Sequence, residues 1–510
     1  MVNLMENGVL KEKGSYIWLV IGGFLLLFFN GKYVIPIASW ISPIFIIHFY
    51  KVNKNVKGIM LLLLVLILTI LFSFRGVPDI GNWTEYLVLA GLGIVFYVPF
   101  LIDAVIGSKI KGFKSTFILP LAGVTFEYIV SLVSPYGTWG SLAYTQYGNL
   151  PLMQLASVTG IWGISFILYW FYACVNWIWL NEFNINKIKN GVAIFLFSFT
   201  LIMLFGGLRT VLLNPTSKTV KVASISIPHR YMNKDIHKAR EDKNYSNEDK
   251  ELFKQKLNNL HEELLNYTKG EAANGAKIIF WDELSGIVFK EDEDLLLSKA
   301  SDIAKQFNVN IVLSLDTIEQ GNLYDENKSV FIDDKGEIKY EYLKSKIVPG
   351  DNDKVGDGVI KYADTSYGRV GSAICFDADF PQYIRQAGKD NIDIFLIPSS
   401  DWKEIDPIHS KMAVFRAIEN GFSMVRQVQE GYSLSTDYLG NTISSMDYFN
   451  TDNRVLISYI PIEGVKTVYS SVGDIFAWIC VVAFLATLFS KFTQNLKSIK
   501  TGYKYILWNR

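Results

Sequence analysis

The sequence predicts a membrane-embedded α-helical bundle of about eight spans, joined to a soluble domain in which strands alternate with helices. Half of the 510 residues are hydrophobic and only 19% are charged, against about 25% in an ordinary soluble chain. The charges are also segregated. Residues 218–471 hold 41 acidic and 31 basic residues, whereas the rest of the chain holds 8 acidic and 18 basic ones. Eight apolar runs lie outside this acidic segment, which indicates two parts of different character.

The eight apolar runs are interpreted as membrane spans. They cover residues 17–29, 33–50, 58–74, 86–106, 116–133, 155–180, 192–208 and 475–489. The first two are shorter than the ~20 residues of a typical span and could together form one bent hairpin. Lysines follow every even-numbered run, and the tail after the eighth run, which ends at Arg510, contains no acid. Both termini are therefore expected in the cytoplasm.

This orientation places the acidic segment after seven crossings, on the outer face of the membrane. The chain is accordingly divided into a seven-span membrane domain (1–214), an extracytoplasmic domain (215–472), and a closing span with a basic cytoplasmic tail (473–510). A domain of about 250 residues is large enough to bury a core of its own.

The extracytoplasmic segment has the pattern of an α/β domain, because short β-like runs alternate with helical stretches. Strands are predicted at 221–227, 276–281, 309–315, 329–333, 369–375, 392–398, 422–428 and 455–460. Helices are predicted at 248–269, 293–306 and 409–420.

Composition excludes several classes of protein. Cys174 and Cys480 lie inside apolar runs, and neither has a partner at a useful spacing, so a disulfide framework is excluded. The five histidines are scattered, and no metal site is predicted. The acidic segment has a net negative charge, which is unfavourable for binding nucleic acid. No phosphate-binding glycine loop is present, and no cofactor is expected.

Three short segments carry side chains suited to catalysis, each at the end of a predicted strand. The first runs from a buried strand into Asp282 and Glu283; the second, 342–351, contains Lys344 and Lys346; the third ends in Cys375. A cysteine where a strand turns into a helix is expected to be acidic, since a helix N-terminus favours thiolate. Taken singly, each has an ordinary structural explanation: a buried cysteine, a solvated acid, and surface lysines beside a turn.

Together these segments resemble the carbon–nitrogen hydrolase (nitrilase) superfamily, whose members use a Glu–Lys–Cys triad in this chain order. The resemblance assigns Glu283, Lys344 and Cys375, which are separated by 61 and 31 residues. Further motifs within 137–163 and 416–433, and the pair 473–474, resemble the apolipoprotein N-acyltransferase family, the bacterial membrane members of the superfamily. This resemblance implies an αββα sandwich on the outer face of the bacterial cell membrane.

The resemblance also implies a reaction. A fatty acyl chain would pass from a membrane phospholipid, through a Cys375 thioester, to the α-amino group of the lipid-modified N-terminal cysteine of a lipoprotein. Glu283 would be the general base, and Lys344 would stabilise the oxyanion together with a backbone N–H near Phe376. Lys344 and Lys346 lie on the same face of a strand, so periodicity alone cannot choose between them; the family pattern selects Lys344. A monomer is expected.

The sequence departs from the family pattern around the triad. Asp282 stands where the family usually has proline, Asp351 stands for glutamate, and Phe376 and Asp377 stand for tyrosine and glutamate. We expect Asp351, Phe376 and Asp377 to bind or support the substrate. The acceptor could therefore be a different amine.

Four other residues are candidate supporting groups. Trp139 and Tyr144 lie in loop 134–153, which together with loop 351–361 could form walls or lids of the site; plain interfacial anchors are equally compatible. Glu127 lies inside the fifth span, so it needs a polar partner or a substrate-facing role. Glu419, close to Arg416, could position the triad or form a structural ion pair.

Two other functions fit the same sequence. A membrane-tethered amidase or nitrilase would share the triad but release the acyl group to water. A non-catalytic membrane protein would use the outer domain for binding, although the intact Glu–Lys–Cys order argues against it.

Overall fold

The structure is a computed structural model that describes residues 5–6, 9–10, 14–53, 55–215, 218–226 and 246–508, and of residues 5–6, 9–10, 492 and 494–508 only the backbone. Ile227 at the end of the first predicted strand and Arg510 at the end of the basic tail lie outside these described residues, as do His229 and His237.

The N-terminal part is a bundle of helices. Each of the first seven apolar runs coincides with helical structure, and the eighth lies in the helix Ile475–Trp508. The N-terminal helices are Tyr16–Leu26, Pro36–Val52, Val56–Ser73, Thr84–Ile106, Ile118–Val133, Leu150–Met153, Ala156–Thr159, Ile161–Leu180 and Ile185–Leu212. Among the described residues, five helical segments are long and apolar enough to cross a membrane: Val56–Ser73, Thr84–Lys109, Phe113–Val133, Ile161–Leu180 and Ile185–Leu212.

The sixth predicted run is not one continuous helix. Gly160, at φ +65°, separates Ala156–Thr159 from Ile161–Leu180, and a side chain there would overlap the ring of Tyr469. The long helix after this break is the most buried of the five. Its Asn176 donates to the carbonyl of Ile44 at 3.0 Å, a polar contact typical of helices packed in a membrane.

The strands form two large sheets and one small hairpin. They are β1 Met5–Glu6, β2 Val9–Leu10, β3 Thr219–Ile225, β4 Ile278–Trp281, β5 Gly286–Phe289, β6 Asn310–Ile318, β7 Glu326–Ile332, β8 Ile338–Leu343, β9 Lys361–Thr365, β10 Gly368–Ser372, β11 Ile394–Ser400, β12 Ser423–Gln429, β13 Tyr432–Thr436, β14 Thr442–Asp447 and β15 Val455–Pro461. One sheet has the order β15-β3-β4-β6-β7-β8, with β5 pairing to β6; the other has the order β14-β13-β12-β11-β10-β9.

The two sheets stack face to face between two layers of helices. Strand β4 illustrates the alternation: Ile278 and Phe280 belong to the core between the sheets, whereas Ile279 and Trp281 pack under the outer helices. The outer helices are Asn247–Ala273 and Glu293–Phe307 on one side, and Pro381–Lys389 and Ile408–Asn420 on the other. The predicted αββα sandwich is confirmed.

All eight predicted strands of the sandwich are present, with shifted ends, and β5, β8, β9, β13 and β14 were not predicted. β5 is apolar but has only four residues, and the other four strands are rich in polar residues and lack a continuous apolar run. The predicted strand 369–375 ends at Ser372, and Cys375 instead begins a 3-10 helix, Cys375–Asp379.

Polar contacts fix the sandwich on the bundle. The indole of Trp402 donates to the carbonyl of Gly76 at 2.9 Å, and at the same junction the indole of Trp162 donates to Asp474, just before the closing helix, at 2.7 Å. The backbone N–H of Ile161 donates to Glu419 at 3.0 Å. A single hydrophobic core cluster also contains residues of both parts. The strand ends that carry the candidate catalytic residues therefore face the bundle.

We expect Gly421→Ala to destabilise the sandwich by about 1–3 kcal/mol. Gly421 ends the helix Ile408–Asn420 at φ +79°, and an added Cβ would overlap the carbonyl oxygen of Val465. Gly270→Ala is the matched control, because Gly270 lies inside a helix with open space around it and should gain up to about 1 kcal/mol. Thermal unfolding in detergent compares the two; equal midpoints would contradict the expectation.

Candidate active site

Three loops at the bundle-facing end of the sandwich bring the predicted triad together. Glu283 follows β4 and Lys344 follows β8, both in the seven-stranded sheet, whereas Cys375 follows β10 in the six-stranded sheet. All three side chains are buried, and all three line one cavity. The site therefore requires both sheets to be stacked.

Glu283 and Lys344 form a buried ion pair. The Nζ of Lys344 lies 2.7 Å from Oε1 of Glu283, which also accepts from Nδ2 of Asn327 at 2.9 Å. Oε2 of Glu283 accepts from the backbone N–H of Ser400 at 2.8 Å. Burial lowers the pKa of Lys344, but the charges of Glu283, Cys375 and Asp353 outweigh it and raise the pKa above its usual range. Lys344 is therefore a cation at any physiological pH.

Cys375 has an unusual backbone conformation and a buried thiol. Its φ of +44° lies in the left-handed region, where a non-glycine residue is held only by its surroundings. Sγ lies 3.6 Å from the carbonyl oxygen of Ser400 and 3.9 Å from Oδ1 of Asp401. The expectation of an acidic cysteine is wrong: burial, then the charges of Glu283 and Asp401, raise the pKa of this thiol well above its usual value. The thiol consequently needs a base.

Asp377 ties the lysine loop to the cysteine loop. Its Oδ1 accepts from the backbone N–H groups of Ser345 and Lys346, at 3.2 and 2.7 Å. Its Oδ2 accepts from Tyr342 at 2.6 Å and from the N–H of Ile374 at 2.9 Å. Burial outweighs these hydrogen bonds and raises the pKa of Asp377 to about 6. Asp377 thus supports the geometry between Lys344 and Cys375.

A second group of charged side chains lies beside Cys375, and we refer to Asp379, Asp401, His409 and Arg426 as the aspartate–histidine cluster. His409 lies between the two carboxylates, with Nε2 3.1 Å from Asp379 and Nδ1 2.8 Å from Asp401. Arg426 donates to both oxygens of Asp401, at 2.9 and 3.3 Å. Burial and Arg426 lower the pKa of His409, but Asp379 and Asp401 outweigh them and raise it to about 9.

Cys375, Asp401 and His409 could in principle share a metal ion, because one ligand atom of each lies within 4.8 Å of the others. The donor set does not fit a cation. Both nitrogens of His409 already face carboxylates, and the Asp401 oxygens accept from a guanidinium, which would repel the ion. The cluster is better described as a network of ion pairs.

The cavity in front of the triad has a volume of about 300 Å³ and extends into the bundle. Its apolar wall comes from three predicted spans and consists of Ile70, Phe74, Val88, Leu89, Leu92, Phe96 and Val130. Its polar end contains the triad. A carbonyl group can thus lie at Cys375 while an acyl chain lies among the helices.

The predicted supporting residues fall into two groups. Asp351, Phe376 and Trp139 line the cavity. Other residues of loops 134–153 and 351–361 also line it. Tyr144 does not: it is buried against Phe415 and bonded to Thr138. Glu419 accepts from the first residue of the helix Ile161–Leu180 and lies near Arg416, which agrees with a structural ion pair.

Glu127 has polar partners at one of its two carboxyl oxygens. Its Oε2 accepts from Ser141 at 2.8 Å and from Ser165 at 2.7 Å, and it lines a separate small cavity within the bundle. These contacts favour the structural alternative over a role at the triad.

Sequence reasoning missed several residues of the site. Asn327 was not recognised because it lies within a strand that has no motif. Arg426 lies in the motif segment 416–433 and His409 begins a predicted helix, but nothing in the sequence paired either residue with Asp401. A buried Asp–His–Asp arrangement brings together residues far apart in the chain, so only the fold reveals it.

Comparison with known proteins agrees with both parts of the chain. The family model described as carbon-nitrogen hydrolase matches residues 242–467, and the one described as apolipoprotein N-acyltransferase N-terminal domain matches residues 21–175. The apolipoprotein N-acyltransferase of Geobacter metallireducens is 24% identical over 416 residues, covering 73% of each chain. Apolipoprotein N-acyltransferase 1 of Treponema denticola is 24% identical over 455 residues, covering 79% of this chain and 82% of that protein.

An amidase from Nesterenkonia sp. superposes with a TM-score of 0.39 and 15% identity, covering 48% of this chain and 92% of the amidase. The helical bundle and the sandwich are matched by separate family models, and the two N-acyltransferases align over 73% and 79% of this chain. The chain therefore belongs to the apolipoprotein N-acyltransferase family, the membrane branch of the carbon–nitrogen hydrolases.

Proposed function

We propose that the protein transfers a fatty acyl chain from a membrane phospholipid, through a Cys375 thioester, to the α-amino group of the lipidated N-terminal cysteine of a lipoprotein. The main support is the cavity, which joins the Glu283–Lys344–Cys375 site to an apolar wall of membrane helices. Membership of a family of apolipoprotein N-acyltransferases supports lipoprotein N-acylation in general.

In the first half-reaction the sulfur of Cys375 attacks the ester carbonyl of the phospholipid. Glu283 accepts the thiol proton during the attack, because the buried thiol does not ionise by itself. The S–C bond forms, the ester C–O bond breaks, and Glu283 returns the proton to the leaving oxygen. A lysophospholipid departs and an acyl thioester remains.

The negative charge that develops on the carbonyl oxygen is stabilised by Lys344, whose cationic form is secured by Glu283, together with a backbone N–H near Phe376. Preorganised donors of this kind are each worth about 3–4 kcal/mol of barrier. Asp377 maintains the distance between these groups by holding both loops.

In the second half-reaction a neutral amine attacks the thioester carbonyl. The C–N bond forms and the C–S bond breaks, while Glu283 takes a proton from the amine and returns it to the sulfur. An amide is more stable than a thioester, so transfer runs forward without ATP or another cofactor.

We further propose that a monomer crosses the bacterial cell membrane eight times, with both termini in the cytoplasm and residues 215–472 outside. The supports are five helices of spanning length, the shorter helices Tyr16–Leu26, Pro36–Val52 and Ile475–Lys491 at the other three apolar runs, and lysines after the even-numbered runs. Reporter fusions after residues 54 and 215 test this orientation: a cytoplasmic reporter should be active only at the first position and a periplasmic one only at the second.

Assays of the purified protein with labelled phospholipid and with a small soluble amide distinguish this proposal from two alternatives, a hydrolase and a non-catalytic binding protein. Acyl-enzyme with release of lysophospholipid supports the acyltransferase, turnover of a small soluble amide supports a hydrolase, and neither outcome supports a binding protein. The match to an N-acyltransferase N-terminal domain favours the first.

We expect Cys375→Ala and Cys375→Ser to abolish acyl-enzyme formation while the protein still inserts and folds. Cys174→Ala and Cys480→Ala are matched controls, since both thiols are buried inside apolar helices away from the cavity. Acyl labelling is followed by mass spectrometry. Substantial labelling of either Cys375 variant would exclude this residue as the nucleophile.

We expect Lys344→Ala to be inactive and Lys346→Ala to keep much of its activity. Lys344 pairs with Glu283, whereas the Nζ of Lys346 lies over the ring of Phe380, 5.0 Å from its centroid. Loss of the buried cation removes an oxyanion donor, which corresponds to a 10²–10³-fold decrease in kcat. If Lys344→Ala is active and Lys346→Ala is inactive, Lys346 and not Lys344 is the catalytic lysine.

We expect the protein to restore N-acylated lipoproteins in a cell that lacks its own N-acyltransferase, and Phe376→Tyr to be tolerated. Phe376 lines the cavity, and the substitution adds only a hydroxyl that the family usually has at this position. Mass spectrometry of lipoprotein N-termini provides the measurement. If the thioester forms but these N-termini stay free, the acceptor is a different amine.

A further inference from the structure

The aspartate–histidine cluster has no part in the proposed chemistry, although it touches the nucleophile. All four side chains are almost completely buried. Oδ1 of Asp401 is the atom that connects the cluster to the site, because it lies 3.9 Å from Sγ of Cys375 and also contacts His409 and Arg426. A carboxylate at this distance opposes ionisation of the Cys375 thiol, whereas the neighbouring cations Lys344 and Arg426 favour its ionisation.

The far side of the cluster is anchored to the membrane domain. Trp139, a residue of the cavity wall, donates its indole N–H to Oδ2 of Asp379 at 2.7 Å. The backbone and side chain of Thr138 both donate to the carbonyl oxygen of Asp379, at 3.1 and 2.8 Å. His409 thus lies between a loop of the membrane domain and the carboxylate beside the nucleophile.

We propose that His409 is a positioning residue of this active site: as an imidazolium between Asp379 and Asp401, it holds the Asp401 carboxylate beside Cys375 and offsets its charge. With its charge offset, Asp401 opposes ionisation of the thiol less strongly, and Glu283 can remove the proton. This inference rests on the proposed function only in taking Cys375 as the nucleophile.

The charges around the two groups are defined by the fold. Cys375 faces Glu283 and Lys344 from the seven-stranded sheet, and Asp401 and Arg426 from its own side. His409 faces Asp379, Asp401 and Arg426. Removing the imidazolium leaves Asp379 and Asp401 with a single cation, whereas removing the Asp401 carboxylate leaves two cations with Asp379.

The test is the rate at which iodoacetamide alkylates Cys375 as a function of pH, measured on the full-length protein in detergent with Cys174 and Cys480 replaced by serine. His409→Gln should raise the apparent pKa of Cys375 by about one unit or more, and Asp401→Asn should lower it by a similar amount. The control is His261→Gln. His261 is also a buried histidine, but it contacts the carbonyl of Ile287 outside the site, and its replacement should leave the profile unchanged.

The opposite signs distinguish positioning from a merely structural role, because loosening of the fold would shift both profiles in the same direction. Two shifts of the same sign, or no shift beyond that of the His261→Gln control, would overturn the inference. If His409→Gln does not fold, an Asp401→Asn profile that fails to move to lower pH overturns it alone.

Alkylation requires neither acyl donor nor acceptor, so this experiment is independent of the overall reaction. A wild-type protein that alkylates as expected but never forms a thioester would defeat the proposed function and leave the role of His409 intact.

Discussion

The buried ion pair between Glu283 and Lys344 is the interaction on which the site depends. Removing two charges from water costs several kcal/mol per ion, and their attraction offsets this only when the remaining hydrogen-bonding capacity is satisfied. Here Asn327 of β7 and the Ser400 N–H of β11 complete the coordination of Glu283. Because β7 and β11 belong to different sheets, the pair is stable only in the assembled sandwich.

The same low-dielectric setting explains why the thiol of Cys375, the proposed nucleophile, is protonated. Cys375 is buried among two carboxylates and two cations, and the net effect raises the pKa of its thiol. Such a cysteine is poorly reactive toward chance electrophiles. In the proposed mechanism it becomes a nucleophile only when a substrate carbonyl is in place and Glu283 accepts the proton.

The contact between the sandwich and the bundle has consequences beyond anchoring. Loop 134–153 supplies Trp139 both to the cavity wall and to Asp379, so one side chain contacts the space for the substrate and the charged cluster beside Cys375. On the other side of the same junction, Trp162 donates to Asp474, and Glu419 accepts from the N-terminus of the helix Ile161–Leu180. The membrane helices thereby form part of the active site.

Much of this organisation was predictable from local patterns. Apolar runs located the helices, and short β-like runs located eight strands of the sandwich, because strands buried on both faces, such as β4 and β11, contain consecutive apolar residues. Strands such as β8 and β9 have partly exposed residues and no apolar run, so nothing local marked them. The triad was identified from chain order and motif resemblance, whereas its geometry, the Asn327 contact and the aspartate–histidine cluster were not.

The sequence by itself determined the two-part architecture and predicted Glu283, Lys344 and Cys375 as the candidate triad, because hydrophobicity and short motifs are properties of neighbouring residues. Only the tertiary structure decided that Cys375 is a buried, non-acidic thiol, that Asp377 joins two loops, and that His409 lies between Asp379 and Asp401. The pKa of a group depends on burial and on charges within a few ångströms, and those neighbours come from different elements of the fold, separated by 8 residues for Asp401 and His409 and by 30 for Asp379 and His409.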